Sequence, residues 1–332
     1  MTVLITGGAG FVGLALAEQL LARGTAVTIA DRNPLPEIAR AIAADLPGTL
    51  RVAPLDVTDR ASIDTVFKTA QPTHLIHLAA ITAGVDRDAS DPRSIALVNY
   101  VGTIDVLSAA REHGVARVVY ASTGALFGQA GFNVDHRLDE INDRPVPQTL
   151  YGITKYAAER TALRLRDLWK LDLVVGRLAM VYGRWEYPTG VRDTLSPLWK
   201  ITRMALRGEP VVFPDSGPID WIYSIDVARA LMALLDTPQA QLKNSVYHLG
   251  VGNPWSIRAW CEQLKARIPG FEYRLSPNEN EWKVPGISAT MRTPFAANRL
   301  RDDTGFVEAF TMTKAMDDYW AWIAQHRQSL DL

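Results

Sequence analysis

A chain of 332 residues is longer than a minimal domain and suits one large α/β unit or two joined parts. Its 35 Lys and Arg against 36 Asp and Glu supply no global field to draw it to nucleic acid or an anionic membrane, which leaves a small molecule as the expected partner. The single cysteine, Cys261, excludes an intramolecular disulfide framework and a multi-cysteine zinc site, and it fits a reducing compartment as a buried helix residue.

In chain order, MTVLIT is already strand-like, with no basic run leading into an apolar signal segment, and no later apolar run is long enough to span a bilayer. The expectation is a cytoplasmic protein without a metal site. Short runs rich in Val and Ile then alternate with stretches of helical period: VLIT (3 to 6), AVTIAD (26 to 31), LRVAPLD (50 to 56), HLIHLAA (74 to 80), RVVYAS (117 to 122), LDLVVGRL (171 to 178) and SVYHLG (245 to 250). That alternation predicts an α/β fold, a doubly wound parallel sheet of Rossmann type. Between the first two strands, LALAEQLLARG keeps Leu16, Leu20 and Leu21 on one helix face and stops at Gly24. After Tyr182 prolines, tryptophans and arginines become dense, and the alternation lapses until IYSIDVARALMALL and SVYHLG restore it. The expected division is a nucleotide-binding domain over 1–180 and 219–252, with a smaller substrate lobe over 181–218 and 253–332.

Two motifs carry chemistry. TGGAGFVG places Gly7, Gly10 and Gly13 directly after the first strand, with Phe11 and Val12 opening the first helix. Gly7 allows the sharp turn, Gly10 lets the backbone approach a pyrophosphate at the helix N-terminus, and Gly13 lets the helix lie close to the sheet. The second strand ends at Asp31, where a carboxylate can accept from both ribose hydroxyls of NAD and would repel the 2′-phosphate of NADP; Arg32, which follows, softens that repulsion. NAD is the expected cofactor. In TLYGITKYAAER, Tyr151 and Lys155 lie one helical turn apart on one face. A phenol titrates near 10, so it needs a neighbouring cation to act as a base near neutrality, and Lys155 supplies one. Ser122 and Thr123, at the end of the fifth strand, offer hydroxyls that can share the substrate oxygen with Tyr151.

TGGAGFVG, Asp31, LDVTD (55 to 59), HLAA (77 to 80), NYVGTIDVLSAARE (99 to 112), YASTGALFG (120 to 128), YGITK (151 to 155) and RLAMVYGR (177 to 184) resemble, in order, the extended short-chain dehydrogenase/reductases, the NAD-dependent epimerases and dehydratases. PIDWIYSIDVARAL and the closing DDTGFVEAF also look like family segments, so the resemblance covers most of the chain. It implies that Asp56 and Val57 contact the adenine, that Leu78, Ala79 and Ala80 line the ribose and phosphate path, and that Asn99 sits near the catalytic lysine. A cap is the plainer reading of Asn99, and a packed strand residue that of His77. The catalytic hydroxyl falls on Thr123, with Ser122 beside it. A homodimer through the helices carrying Asn99 and Tyr151 is expected by the same analogy.

Family dehydratases resemble one another in an Asp-Glu pair after the catalytic threonine; Gly124 and Ala125 stand there, which argues against 4,6-dehydration. In PIDWIYSID, Ile219 stands where the nucleotide-sugar enzymes place an arginine for the diphosphate. In ATMRTP, Arg292 resembles the late arginine of the family. Arg184, Arg192 and Arg203 are further cations of the second lobe that could hold a substrate anion, and Trp221 and Tyr223 could form an apolar wall. The leading expectation is an NAD-dependent dehydrogenase oxidising a secondary alcohol of a small polar substrate: a sugar, a sugar acid or aldonate, or a hydroxy amino acid. The branch that oxidises L-threonine also lacks that arginine. The alternative is a nucleoside-diphosphate-sugar epimerase with an altered diphosphate site. A redox-sensing binding protein is a third reading, which the intact Tyr151 and Lys155 oppose.

Overall fold

The structure, a computed structural model, describes residues 1–132, 134–287 and 292–327. Seven apolar runs become the strands of one sheet: β1 (Thr2–Thr6), β2 (Ala26–Asp31), β3 (Thr49–Pro54), β4 (His74–His77), β5 (Arg117–Thr123), β6 (Leu173–Leu178) and β7 (Val246–Leu249). Their order is β7-β6-β5-β4-β1-β2-β3, and every pairing is parallel. The inner runs are apolar on both faces because helices cover both faces: Leu4, Ile5, Ile76, Val118, Val119 and Val175 are fully buried, whereas the edge strand β3 is largely exposed. From β1 the chain winds outward to β3, then returns beside β1 at β4 and winds the other way. That reversal opens a crevice between the carboxyl ends of β1 and β4, where ligands of such sheets bind.

Two strands end earlier than their apolar runs suggest. β3 stops at Pro54, and beyond it the Asp56 carboxylate accepts from the Thr58 amide (2.8 Å) and hydroxyl (2.7 Å), which turns the chain out of the sheet. β4 stops at His77, and Leu78, Ala79 and Ala80 leave as a loop over the crevice. Helix α1 (Phe11–Ala22) buries Leu16, Leu20 and Leu21 and ends before Gly24, whose φ of 82° is the left-handed conformation expected there. Helix α2 (Leu150–Trp169) is capped by Thr149, whose hydroxyl accepts from the Gly152 amide at 3.1 Å. Among the described residues, no helix is long and apolar enough to cross a membrane, and no group of three or more His, Cys, Asp or Glu could hold a metal ion.

The later part of the chain is tied down by short two-stranded pairings: 180–182 with 221–223, 211–213 with 273–275, and 218–219 with 255–256. Its tryptophans build an aromatic core in which Tyr182 meets Trp221, Trp255 and Trp260 edge-on at centroid distances of 6.1, 5.5 and 5.5 Å. Asp220, buried between these strands, accepts from the Gly252 amide (3.0 Å) and the Phe295 amide (3.1 Å). The segment DWIY therefore acts as a clamp.

Candidate active site

The glycine-rich turn has the shape of a phosphate cradle. Gly7 has φ of 71°, and a Cβ there would lie 2.6 Å from the Ala79 amide nitrogen, so only glycine brings the turn against the loop after β4. A Cβ on Gly13 would lie 2.6 Å from the Gly7 carbonyl oxygen, so this glycine lets α1 start tight against the turn. Gly10 caps α1 with no side-chain hydrogen bond and no acid occupies its first turn, which leaves the positive end of the helix facing the cleft. At the other end of the turn, the Asp31 carboxylate accepts from the Ala9 (3.0 Å) and Asn33 (2.9 Å) amides. Each oxygen keeps acceptor capacity for a ribose hydroxyl. Burial raises the Asp31 pKa from its ordinary value, opposed by these amide bonds and the Arg32 charge. Arg32, Asp56, Val57, Leu78, Ala79 and Ala80 line the same cleft, whose volume of about 790 Å³ suits an extended ligand. An open, glycine-walled helix start with a fixed carboxylate beyond it fits a dinucleotide.

Tyr151 and Lys155 reach the cleft from the first turns of α2. Burial raises the Tyr151 pKa, opposed by hydrogen bonding to Thr123, the charge of Arg192 and hydrogen bonding to Thr82. Lys155 donates to the Ala121 carbonyl at 2.6 Å and lies over the Tyr120 ring at 4.2 Å. Burial pulls its pKa down to about 7, opposed by Glu159 one turn further along α2. Thr123 ends β5 half-buried in the cleft and caps the next turn by accepting from the Ala125 amide at 3.1 Å. Ser122 also lines the cleft, but its hydroxyl donates to Glu159 at 2.6 Å. Glu159, fully buried, also takes both arms of Arg177 at 2.6 and 3.0 Å. Of the two hydroxyls, Thr123 faces the phenol and Ser122 is committed to this ion pair.

Beyond Tyr151 the cleft carries three cations, Arg192, Lys200 and Arg292. Arg292 lies over the Phe132 ring at 5.4 Å with the Met180 sulfur 3.6 Å away, and burial lowers its pKa with no compensating charge. Among the described residues, no carboxylate lies within ion-pairing distance of it. The part of its motif before it, 289–291, lies outside the described residues. Over the cleft runs a strap, residues 187–193. Its bonds reach one wall at Ala9 (from the Tyr187 hydroxyl, 2.7 Å) and Asn33 (whose side chain donates to the Thr189 carbonyl, 3.1 Å). They reach the other at Thr82 (to and from Asp193 and Val191, 3.0 Å each) and Arg87 (to Asp193, 2.7 Å).

Other expected residues lie elsewhere. Arg184 is drawn to Glu18 (2.6 Å) and Asp318 (3.6 Å), so its charge is spent between α1 and the Met312–His326 helix. Tyr223 donates to Asp318 at 2.5 Å and packs on Phe310 at 4.9 Å; with Trp221, which donates to the Trp255 carbonyl at 3.1 Å, it belongs to the aromatic core instead of a substrate wall. Arg203 lies over the Trp199 ring at 5.6 Å. Asn99 is fully buried: its side chain accepts from the Ile81 amide (2.8 Å) and donates to the Ile81 carbonyl (3.0 Å), which pins the loop after β4 and leaves it no free group for a cofactor. His77 bonds Thr6 (2.6 Å) in the sheet and Thr103 (3.1 Å) on the Gly102–Glu112 helix that covers it. Sequence reasoning missed Thr82, Lys200 and the strap. None of them carries a local signal, because tertiary packing brings them to the cleft.

A family profile described as the NAD dependent epimerase/dehydratase family matches residues 3–250. The chain is 25% identical to the UDP-glucose 4-epimerase of Mus musculus, over 98% of this chain and 97% of the mouse protein. It is 30% identical to the dTDP-glucose 4,6-dehydratase of Streptomyces niveus, over 98% of this chain and 94% of that protein. Among solved structures, the UDP-glucose 4-epimerase of Thermus thermophilus in complex with NAD superimposes with a TM-score of 0.77 at 26% identity, covering 95% of this chain and 96% of that one.

Proposed function

The chain belongs to the NAD-dependent epimerase/dehydratase family, and on that premise we propose that it epimerises a nucleoside-diphosphate sugar by way of a transient ketone. NAD, when bound, supplies the reversible oxidation of the carbinol carbon. Tyr151 takes the hydroxyl proton and returns it after the ketone has presented its other face. Thr123 holds the substrate oxygen in hydrogen-bonding reach of the phenol, and Lys155, short of solvent in its protonated form, supports the phenolate. The proposed cofactor contacts are Gly7, Gly10, Phe11, Val12, Gly13, Asp31, Arg32, Asp56, Val57, Leu78, Ala79 and Ala80, and Arg292 is the proposed anchor for the substrate diphosphate.

The observation that carries epimerisation over net oxidation is the strap. An enzyme that must exchange its cofactor at each turnover is poorly served by a segment bonded to both walls of the cofactor cleft, whereas one that regenerates NAD in place gains from the enclosure. The relatives favour the same reading over the dehydrogenase of a small polar alcohol expected from the sequence. Dehydration lacks its acid and base: Gly124 and Ala125 follow Thr123, and a Cβ on Gly124 would lie 2.6 Å from the Phe295 ring. Ile219, the main argument for a small substrate, pairs with Trp255 through the backbone, packs partly buried against the core and is not among the residues lining the cleft.

The test is to incubate the purified protein with UDP- and dTDP-hexoses and follow the epimeric products by chromatography. Appearance of a 4-epimer supports the reading. A 4-keto-6-deoxy product, or turnover of free hydroxy acids alone, would remove it.

A further inference from the structure

Arg192 stands apart from the other two cations of the cleft in where it is anchored. Its backbone forms a bridge with Thr82, flanked by bonds of 3.0 Å from the Thr82 amide to the Val191 carbonyl and from the Asp193 amide to the Thr82 carbonyl. Thr82 and Tyr151 line the same cleft, and the Arg192 charge acts on the Tyr151 phenol. The guanidinium is therefore fixed beside the reacting end of the cleft. It lies over the Phe11 ring with its central carbon 4.9 Å from the centroid, and one nitrogen, Nη2, donates to Glu186 at 2.9 Å.

Glu186 does not use up this cation. The same carboxylate, almost fully buried, accepts from the Ser196 amide and hydroxyl at 2.6 Å each, capping the Pro197–Leu206 helix. Among the described residues, the Arg192 Nε–H, out of contact with solvent, has no hydrogen-bond partner. A desolvated guanidinium N–H left unpaired is costly, and a planar acceptor with two oxygens satisfies it best. Lys200 enters the same cleft and adds a second positive charge near Arg192. The sugar diphosphate cannot be this acceptor if the carbinol at Tyr151 is the 4-position, because the ring separates that carbon from the anomeric phosphate.

We propose that Arg192 holds a carboxylate carried by the substrate beside the carbinol that Tyr151 deprotonates, so that the substrate is a sugar acid, with a nucleoside-diphosphate uronate as its full form. The proposal rests on the reading of Tyr151 as the base. It is independent of whether NAD is regenerated in place.

The experiment pairs substrates that differ only in the acid group: a nucleoside-diphosphate uronate against its hexose, and a free sugar acid against its neutral sugar. Turnover is followed by chromatography and NADH absorbance, and binding is measured on NAD-loaded Tyr151→Phe protein. The wild type is expected to favour the acid member, with binding at least about tenfold tighter. Arg192→Met is expected to cut the acid-to-neutral ratio of kcat/KM by roughly a hundredfold, and Arg192→Lys to recover part of it. Poor folding would lower both members equally and leave the ratio intact, which separates specificity from structure. A wild type that binds or turns over neutral members as well as acids, an acid-to-neutral ratio unchanged in Arg192→Met, or an effect confined to NAD affinity would overturn the proposal. Net NADH formation with an Arg192-dependent acid preference would instead sink the epimerase reading and leave Arg192 in place.

Discussion

Replacing Glu159 by Gln removes one charge from the most deeply buried ion pair near the site. The carboxylate takes Arg177 at 2.6 and 3.0 Å and the Ser122 hydroxyl at 2.6 Å, with no exposure of its own. Breaking a buried pair by neutralising one partner leaves the other uncompensated and costs about 3–5 kcal/mol. For 332 residues at roughly 2.1 cal/mol/K each, the unfolding entropy is about 0.7 kcal/mol/K, so Tm should fall by roughly 4–7 °C. The same change acts on Lys155. Its ammonium is held down to about 7 by burial, and Glu159 is the group that opposes this. Without Glu159 the ammonium is lost at a lower pH, so the alkaline limb of the activity profile should move to lower pH, with activity falling earlier as pH rises. Thermal unfolding of the NAD-free protein and the pH dependence of kcat read the two effects. A Tm within about 1 °C of wild type together with an unmoved alkaline limb would refute the assignment of Glu159 as the partner of both groups.

Other substitutions probe the remaining parts. Tyr151→Phe should lower turnover by about two to four orders of magnitude while NAD affinity, measured by fluorescence titration, stays within a few fold; near-normal turnover would remove Tyr151 from the base role. Asp31→Ala should weaken NAD and relax discrimination against NADP, seen as a change in the ratio of their dissociation constants. Gly7→Ala combines left-handed strain with overlap on Ala79, so it should destabilise by about 2–5 kcal/mol. Gly24→Ala, where φ is 82° but the space is open, should cost about 1–2 kcal/mol by denaturant unfolding. Arg87→Ala removes the strap's ties to Asp193 and the Gly190 carbonyl and should speed NAD release about three- to tenfold in stopped-flow displacement.

The sheet was legible because each buried parallel strand is a local run of β-branched and aliphatic residues, and all seven runs pair as read. The glycine turn and the Tyr151/Lys155 pair were legible for the same reason: a fixed local spacing puts their groups at one place. Charges were not. Arg184 and Arg192 stand eight positions apart in one arginine-rich stretch, yet Glu18 and Asp318 claim the first while Glu186 takes only part of the second. Which cation remains for a ligand depends on carboxylates supplied by distant helices. Tyr223 and Trp221 went to the aromatic core because Tyr182, Trp255 and Phe310 meet them there, contacts that no spacing in PIDWIYSID announces. The strap is a purely tertiary feature, made of bonds between Tyr187, Thr189, Gly190, Val191 and Asp193 and residues distant in the chain: Ala9, Asn33, Thr82 and Arg87.

Enclosure of the cofactor, and with it the choice between epimerisation and net oxidation, is tested most directly by a redox ledger. The NAD-loaded protein is given a nucleoside-diphosphate sugar or uronate, and NADH absorbance is recorded while the sugar products are separated. Epimer should accumulate over many turnovers while NADH never exceeds one equivalent per active site. NADH rising in step with an oxidised product would contradict the account.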